Sequence, residues 1–320
     1  INAQEVFGSE YKGTVTSVML DTDRDTELLK SDAQTVDSTS FGSTFGEQVL
    51  VVRGSDGKAY KVSAIIATMV INNLDDLKTF KQMQGTAAQA KTPLNGYFLL
   101  GDDVDGMEGG TAYLLVGGSI ANPKIEDSIQ NGSWTTYVGY YDTYASGFRG
   151  TFNGNGHTLS NFRFGQGGLL GDLIDGTLKN LTITDAVIGA PGQPRTNALV
   201  GQGVINATIE NCNFTVKMIN AENAESNTNQ PGAIAYTLHN STIKDVTVNV
   251  TNESAAGTIN ILACSKSGTN TFTNVNVTYS GSFDDVDSYT SYLGEGKLTL
   301  TEATASTDDP TEDAQGATNV

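Results

Sequence analysis

The sequence predicts an all-β chain: a parallel β-helix (solenoid) with a short capping helix, preceded by a small antiparallel β-sandwich-like domain. Three observations carry that reading. A seven-residue motif of the form Thr, apolar, polar, Asn or Asp, apolar, polar, apolar recurs five times between residues 158 and 277. Turn-bounded, β-rich runs fill residues 1–71. A single helical stretch lies between the two.

In the first segment, Gly13 to Leu20 alternates, and Gln48–Arg53 and Ala59–Ile66 form a pair of β-rich runs. Gly54-Ser55-Asp56-Gly57-Lys58 joins them, and its Asp-Gly step is a strong hairpin signal. Asn73 to Gly85 reads as the helix: Asn73 caps, Asp75 and Asp76 occupy the first turn, and Gly85 suits the position past the end. Leu74, Leu77, Phe80 or Lys81 and Met83 give it an apolar stripe that would cover the open end of the sheet that follows.

The repeat copies are Thr158–Phe164, Thr177–Ile183, Thr208–Phe214, Thr242–Val248 and Thr271–Val277, with first residues 19, 31, 34 and 29 apart. A second apolar element precedes four of them: Gly168–Gly171, Ala198–Gly201, Ala233–Tyr236 and Ile261–Cys264. Repeats of this length signal a solenoid, because no single copy can bury its apolar face alone. Leu181, Cys212, Val246 and Val275 then form an interior ladder, and Asn161, Asn180, Asn211, Asp245 and Asn274 stack at a bend. The expected divisions are 1–71, the small β domain; 72–283, the capping helix and β-helix with an aromatic insertion at 106–147; and 284–320, an acidic Ser/Thr-rich tail or linker.

Composition narrows the function. The 320 residues include 36 acidic and 18 basic side chains, a formal charge of −18. That balance argues against nucleic acid and anionic lipid, which need clustered Lys and Arg, and no apolar run is long enough for membrane insertion. The chain opens at Ile1, which reads as a mature form or a cut chain. With only His157 and His239 available, a three-histidine zinc site is impossible.

The stretch Phe148-Arg-Gly-Thr-Phe-Asn-Gly-Asn-Gly-His-Thr-Leu159, followed by Gly168-Leu-Leu-Gly171 and Gly176-Thr-Leu-Lys-Asn-Leu181, resembles the GLUG-motif repeats of bacterial surface proteins. Leu74–Leu77 and Gly96–Asp105 are similar to the helix and first strand that precede such repeats. The resemblance, over about 70–280, implies a right-handed parallel β-helix in secreted or surface-anchored proteins, often adhesins. Residues 106–147 are longer than the corresponding link in that family.

That insertion supplies the candidate ligand-binding patch, Trp134, Tyr137, Tyr140, Tyr141 and Tyr144, whose rings suit sugar stacking or a protein interface; the alternative is a lid packed on the β-helix. Asp21, Asp23, Asp25 and Asp32 fall at positions 1, 3, 5 and 12 of a calcium-type loop, although Thr26 stands where Gly is usual, no flanking helix pair is evident, and a solvated acidic loop is the favoured reading. No other cofactor is expected. Asp102, Asp103 and Asp105 form a second acidic cluster at a strand end. The six Asn-x-Thr triplets, at Asn180, Asn206, Asn213, Asn240, Asn249 and Asn276, read as strand and ladder composition rather than glycan acceptors. Asp172, Asp175, Asp185 and Asp245 are scattered without a paired carboxylate row, so catalysis is not expected.

The expected function is an extracellular, cell-surface, non-enzymatic adhesin or structural module that meets a glycan or protein surface ligand. The alternatives are a virion or appendage subunit, such as a phage fibre or decoration protein, and a polysaccharide depolymerase. A homo-oligomer or larger assembly through the acidic tail is a further expectation.

Overall fold

The computed structural model describes residues 2–30, 41–108, 111–116, 119–121, 147–165, 167–188, 198–218, 232–252, 262–280 and 297–301. Near the N-terminus, β1 (Val15–Leu20), β2 (Gly46–Gly54) and β3 (Ala59–Ile66) form an antiparallel three-stranded sheet in that order. The β2–β3 turn closes as its Asp-Gly step demands: Gly57 takes φ +82° and its N–H donates to the Gly54 carbonyl at 2.9 Å. The short helix α1 (Ala3–Phe7) packs on one sheet face, where Val18, Leu20, Leu28, Leu50 and Val52 are buried.

β4 (Met69–Ile71) then joins the β-helix sheet by pairing in parallel with β5 (Tyr97–Leu100). Between them runs α2 (Leu74–Gln89), whose cap is the predicted one: the Asn73 side chain accepts from the Asp76 N–H at 2.9 Å. Its end differs from expectation, because the helix continues four residues past Gly85. An interior glycine costs only about 1 kcal/mol relative to Ala, and Ala87-Ala88-Gln89 offers good helix formers beyond it. The helix ends instead where Lys91 adopts φ +54° and its N–H reaches the Ala88 carbonyl at 3.1 Å.

α2 covers the first coil. The Phe80 ring lies 4.9 Å from Phe98 and 5.4 Å from Phe152, centroid to centroid. Lys81, the alternative to Phe80 in the expected stripe, and Gln84 are both buried with Leu77 and Phe80. The Lys81 ammonium donates to the carbonyls of Gly168 (3.1 Å) and Leu169 (2.7 Å).

Beyond β5 come β6 (Val104–Asp105), the antiparallel pairs β7 (Met107–Glu108) with β8 (Thr111–Ala112) and β9 (Leu114–Val116) with β10 (Ser119–Ala121), and then the coil strands. These are β11 (Thr151–Asn153), β12 (Thr158–Ser160), β13 (Arg163–Phe164), β14 (Asp172–Ile174), β15 (Thr177–Lys179), β16 (Thr182–Ile188) and β17 (Gly201–Ile205). β18 (Thr208–Met218), β19 (Ala235–His239), β20 (Thr242–Asn252), β21 (Ala263–Ser267), β22 (Thr271–Ser280) and β23 (Lys297–Thr301) complete them.

Among the described residues all pairing from β11 onward is parallel and builds three walls. Wall A stacks β5, β11, β15 and the first residues of β18, β20 and β22. Wall B stacks β6, β12, β16 and the remainders of β18, β20 and β22, with β23 beyond them. Wall C stacks β14, β17, β19 and β21. Leu181, Cys212, Val246 and Val275 are at most 1 % exposed, as the interior ladder requires.

The bends are held by side chains that tolerate left-handed backbone. Asn180, Asn211, Asp245 and Asn274 take φ of +51° to +54° where wall A turns into wall B. Asn211 donates its amide to Asn180 at 2.8 Å, Asn180 to Asn153 at 3.0 Å, and Asn274 to Asp245 at 2.8 Å.

Two predicted alignments are corrected. Thr177 pairs with Thr151, whereas Thr158 pairs with Thr182. The first motif copy is therefore Thr151-Phe152-Asn153, and Thr158–Phe164 lies one bend further along the coil. The confusion has a physical origin: Thr182-Ile183-Thr184-Asp185-Ala186-Val187-Ile188 repeats the pattern at every position but Val187 within wall B. There Asn161 and Asp185 share the left-handed conformation, at φ +61° and +51°. In wall C, Gly201 pairs with Ala235, and Ala235 with Ala263, so the last two copies of the apolar element slip by one residue from the predicted frame. Runs of small apolar residues read equally well in either frame.

Candidate functional site

After each bend the long strands alternate strictly. Phe214, Val216 and Met218 of β18 point inward, as do Val248 and Val250 of β20 and Val277 and Tyr279 of β22. Nine positions then face outward on wall B: Asn213, Thr215 and Lys217; Thr247, Asn249 and Thr251; Asn276, Thr278 and Ser280. They stand in register, Thr215 beside Asn249 and Asn249 beside Thr278. Adjacent rungs of such a sheet are about 4.8 Å apart, and alternate residues along a strand about 6.6 Å.

The Asn249 amide donates to the Thr215 hydroxyl at 3.5 Å and the Ser280 hydroxyl to Thr251 at 3.3 Å. Asn213, Thr215, Lys217, Asn249, Thr251 and Thr278 are exposed. Of the nine side chains only Lys217 is charged and none is an acid, in a chain of net charge −18. Every hydroxyl and amide here both donates and accepts. The result is a flat, regular, nearly neutral hydrogen-bonding face.

The residues singled out from sequence fall elsewhere. Trp134, Tyr137, Tyr140, Tyr141 and Tyr144 lie outside the described residues, as does Asp32. Tyr113, from the same insertion, is buried; its hydroxyl donates to Glu108, and the Lys78 ammonium sits 4.8 Å from its ring centroid.

In the acidic loop, Asp21 accepts from Lys61 (2.6 Å) and Arg24, and these two cations hold its carboxyl below the usual range. Asp23 accepts from the Thr26 hydroxyl (2.8 Å) and the Asp25 N–H (3.2 Å), which lower it likewise. Among the described residues no three His, Cys, Asp or Glu side chains converge as metal ligands. Asp21 also lines a cavity of about 740 Å³ beside β2 and β3, with Glu47, Val49, Ser63 and Ile65; Glu47 is paired with Lys179 at 2.8 Å.

The remaining titratable groups serve the coils. Asp103 accepts from the Thr158 N–H at 2.7 Å and lies 3.4 Å from His157 Nδ1. Asp105 accepts from the Met107 N–H (2.9 Å) and the Asn161 amide (3.0 Å). Asp175 holds Arg149 and accepts from Asn206 at 3.2 Å. His239 lies 2.8 Å from the Ser267 hydroxyl through Nδ1 and 3.0 Å from the Asn240 amide through Nε2. The Asp172 carboxyl accepts the Gly203 N–H at 2.7 Å, and burial pushes it up to about 6.

The wall B face was missed from sequence, although its signal was present. Asn213-x-Thr215, Asn249-x-Thr251 and Asn276-x-Thr278 are three of the Asn-x-Thr triplets. Read as ladder composition, they were not recognised as one continuous outward surface.

Fold and face together define a class: a β-solenoid closed at one end by a helix and presenting a flat polar wall. No family model, curated protein or solved structure matches the chain. Among the described residues no helix is long and apolar enough to cross a membrane.

Proposed function

We propose that this chain is an extracellular, non-enzymatic adhesin or structural module built on its β-helix. The observation that carries the reading is the wall B face, which offers many short neutral contacts across three strands rather than a cleft around reactive groups. The resemblance to GLUG-type surface proteins points the same way. Groups capable of acid–base work, such as Asp175, Asp245 and His239, are bonded into the coil bends, which favours a scaffold over a depolymerase.

Intact chain probed on arrays of glycans and host-surface proteins, with parallel assays for released reducing ends and unsaturated sugars, tests the proposal. Retention on at least one surface without product is expected. Product that grows in proportion to added protein would overturn it in favour of a depolymerase.

A further inference from the structure

We infer that the outward face of wall B, formed by Asn213, Thr215, Asn249, Thr251, Asn276 and Thr278, binds an uncharged, extended polysaccharide laid along the solenoid axis. This deepens the adhesin reading and rests on it. The argument begins with charge. On the three rungs β18, β20 and β22 the outward positions carry no carboxylate and a single cation, Lys217, on a chain of net charge −18; the exposed Asp185 of β16 marks where this neutral stretch ends. An acidic polymer would meet long-range repulsion from the whole molecule without the basic cluster needed to hold it. A protein partner would seek aromatic or large apolar anchors, and none of the nine outward positions holds one.

What the face does offer is paired donor and acceptor capacity at every position but Lys217, the chemistry that neutral sugar hydroxyls match. It offers this over three successive rungs about 4.8 Å apart, so a polymer aligned with the axis meets Asn or Thr on each rung of the first two columns. β23 extends the register of the sheet by a further rung, Asn276 opposite Lys297 and Ser280 opposite Thr301. Such contacts are individually weak because each replaces a hydrogen bond to water. Useful retention would come from many rungs and many copies on one surface.

The test uses the intact chain with microcrystalline cellulose and insoluble chitin as neutral probes and polygalacturonate as the acidic one. Two variants are compared with it: Thr215→Val/Asn249→Val, which removes hydrogen bonding while preserving strand-compatible shape, and Thr215→Glu/Asn249→Glu, which adds charge. Both should retain the parent circular dichroism because the altered side chains are exposed, with the Glu pair, set directly opposite one another, melting a few degrees lower. Depletion of the parent chain by a neutral probe, reduced at least tenfold in both variants, is the expected result.

Neutral binding unchanged in the variants would place the contact elsewhere and overturn this inference while leaving the adhesin reading intact. Binding to polygalacturonate alone, or to none of the three probes, would overturn it equally, with adhesion then decided by the arrays above. Self-association of the parent by sedimentation, abolished in the variants, would show instead that this face joins two copies of the chain.

Discussion

Leu181→Asp should abolish the native fold. Leu181 is 1 % exposed and belongs to the interior ladder that continues through Cys212, Val246 and Val275. Removing a buried leucine costs about 2–5 kcal/mol through lost burial and cavity, and an unpaired carboxylate in that position adds several more. Total stability of an ordinary domain is only about 5–15 kcal/mol. In a solenoid each coil is stabilised by its neighbours, so the damage spreads along the stack. Thr215→Asp, on the outward face of wall B, is the matched control and should melt within a few degrees of the parent. A Leu181→Asp variant with native circular dichroism and an unshifted melting curve would contradict the buried ladder.

The second large effect concerns Lys81 and has a definite pH signature. Burial beneath α2 pushes its amine down to about 7 from an ordinary 10.5. Below pH 7 both folded and unfolded chains carry the proton; between 7 and 10.5 only the unfolded chain does. Stability therefore rises with pH across that window, by roughly 4–5 kcal/mol at 1.36 kcal/mol per pKa unit. In Lys81→Met this contribution is absent, and the Gly168 and Leu169 carbonyls lose their donor, at about 1–3 kcal/mol each if they stay buried and unpaired. Urea unfolding of parent and variant at pH 7 and pH 10 should show the gap widening in favour of the parent at the higher pH. Other lysines and tyrosines titrate alike in both chains and cancel. A gap independent of pH would mean that the amine is not held in a water-free site.

Much of the architecture was legible because its signals are local. Asp56-Gly57 places the β2–β3 turn, Asn73 starts α2, and the recurring Thr-apolar-polar-Asn/Asp string announces stacked coils. The errors arose where local pattern is degenerate. Thr158–Phe164 matches both Thr177–Ile183 and Thr182–Ile188, and only the pairing of Thr151 with Thr177 decides between them. Gly85 carries the residue type of a helix end, yet the chain turns at Lys91. Lys81 was ambiguous in the stripe because a lysine is rarely buried; what buries it is a pair of carbonyls 87 and 88 residues away, invisible to any local reading.

The candidate site was less legible still. Ring-rich residues such as Trp134 attract attention singly, whereas Thr215, Asn249 and Thr278 gain meaning only when parallel register sets them side by side.

Everything proposed for wall B depends on that register, and disulfide trapping measures it directly. Thr215→Cys/Asn249→Cys places two thiols on paired residues of adjacent strands. Their Cα separation of about 4.8 Å lies within the range a disulfide spans, about 4.4–6.8 Å. Thr215→Cys/Thr247→Cys displaces the second thiol by two residues along the strand, beyond that reach. With Cys264→Ser as background, Cys212 does not compete, since burial pushes its thiol up to about 12 and keeps it protonated at pH 8. Mild oxidation followed by non-reducing peptide mass spectrometry should find the 215–249 crosslink in high yield and almost none for 215–247. Equal yields from the two pairs, or a crosslink only in the displaced one, would contradict the in-register β-helix and the face built on it.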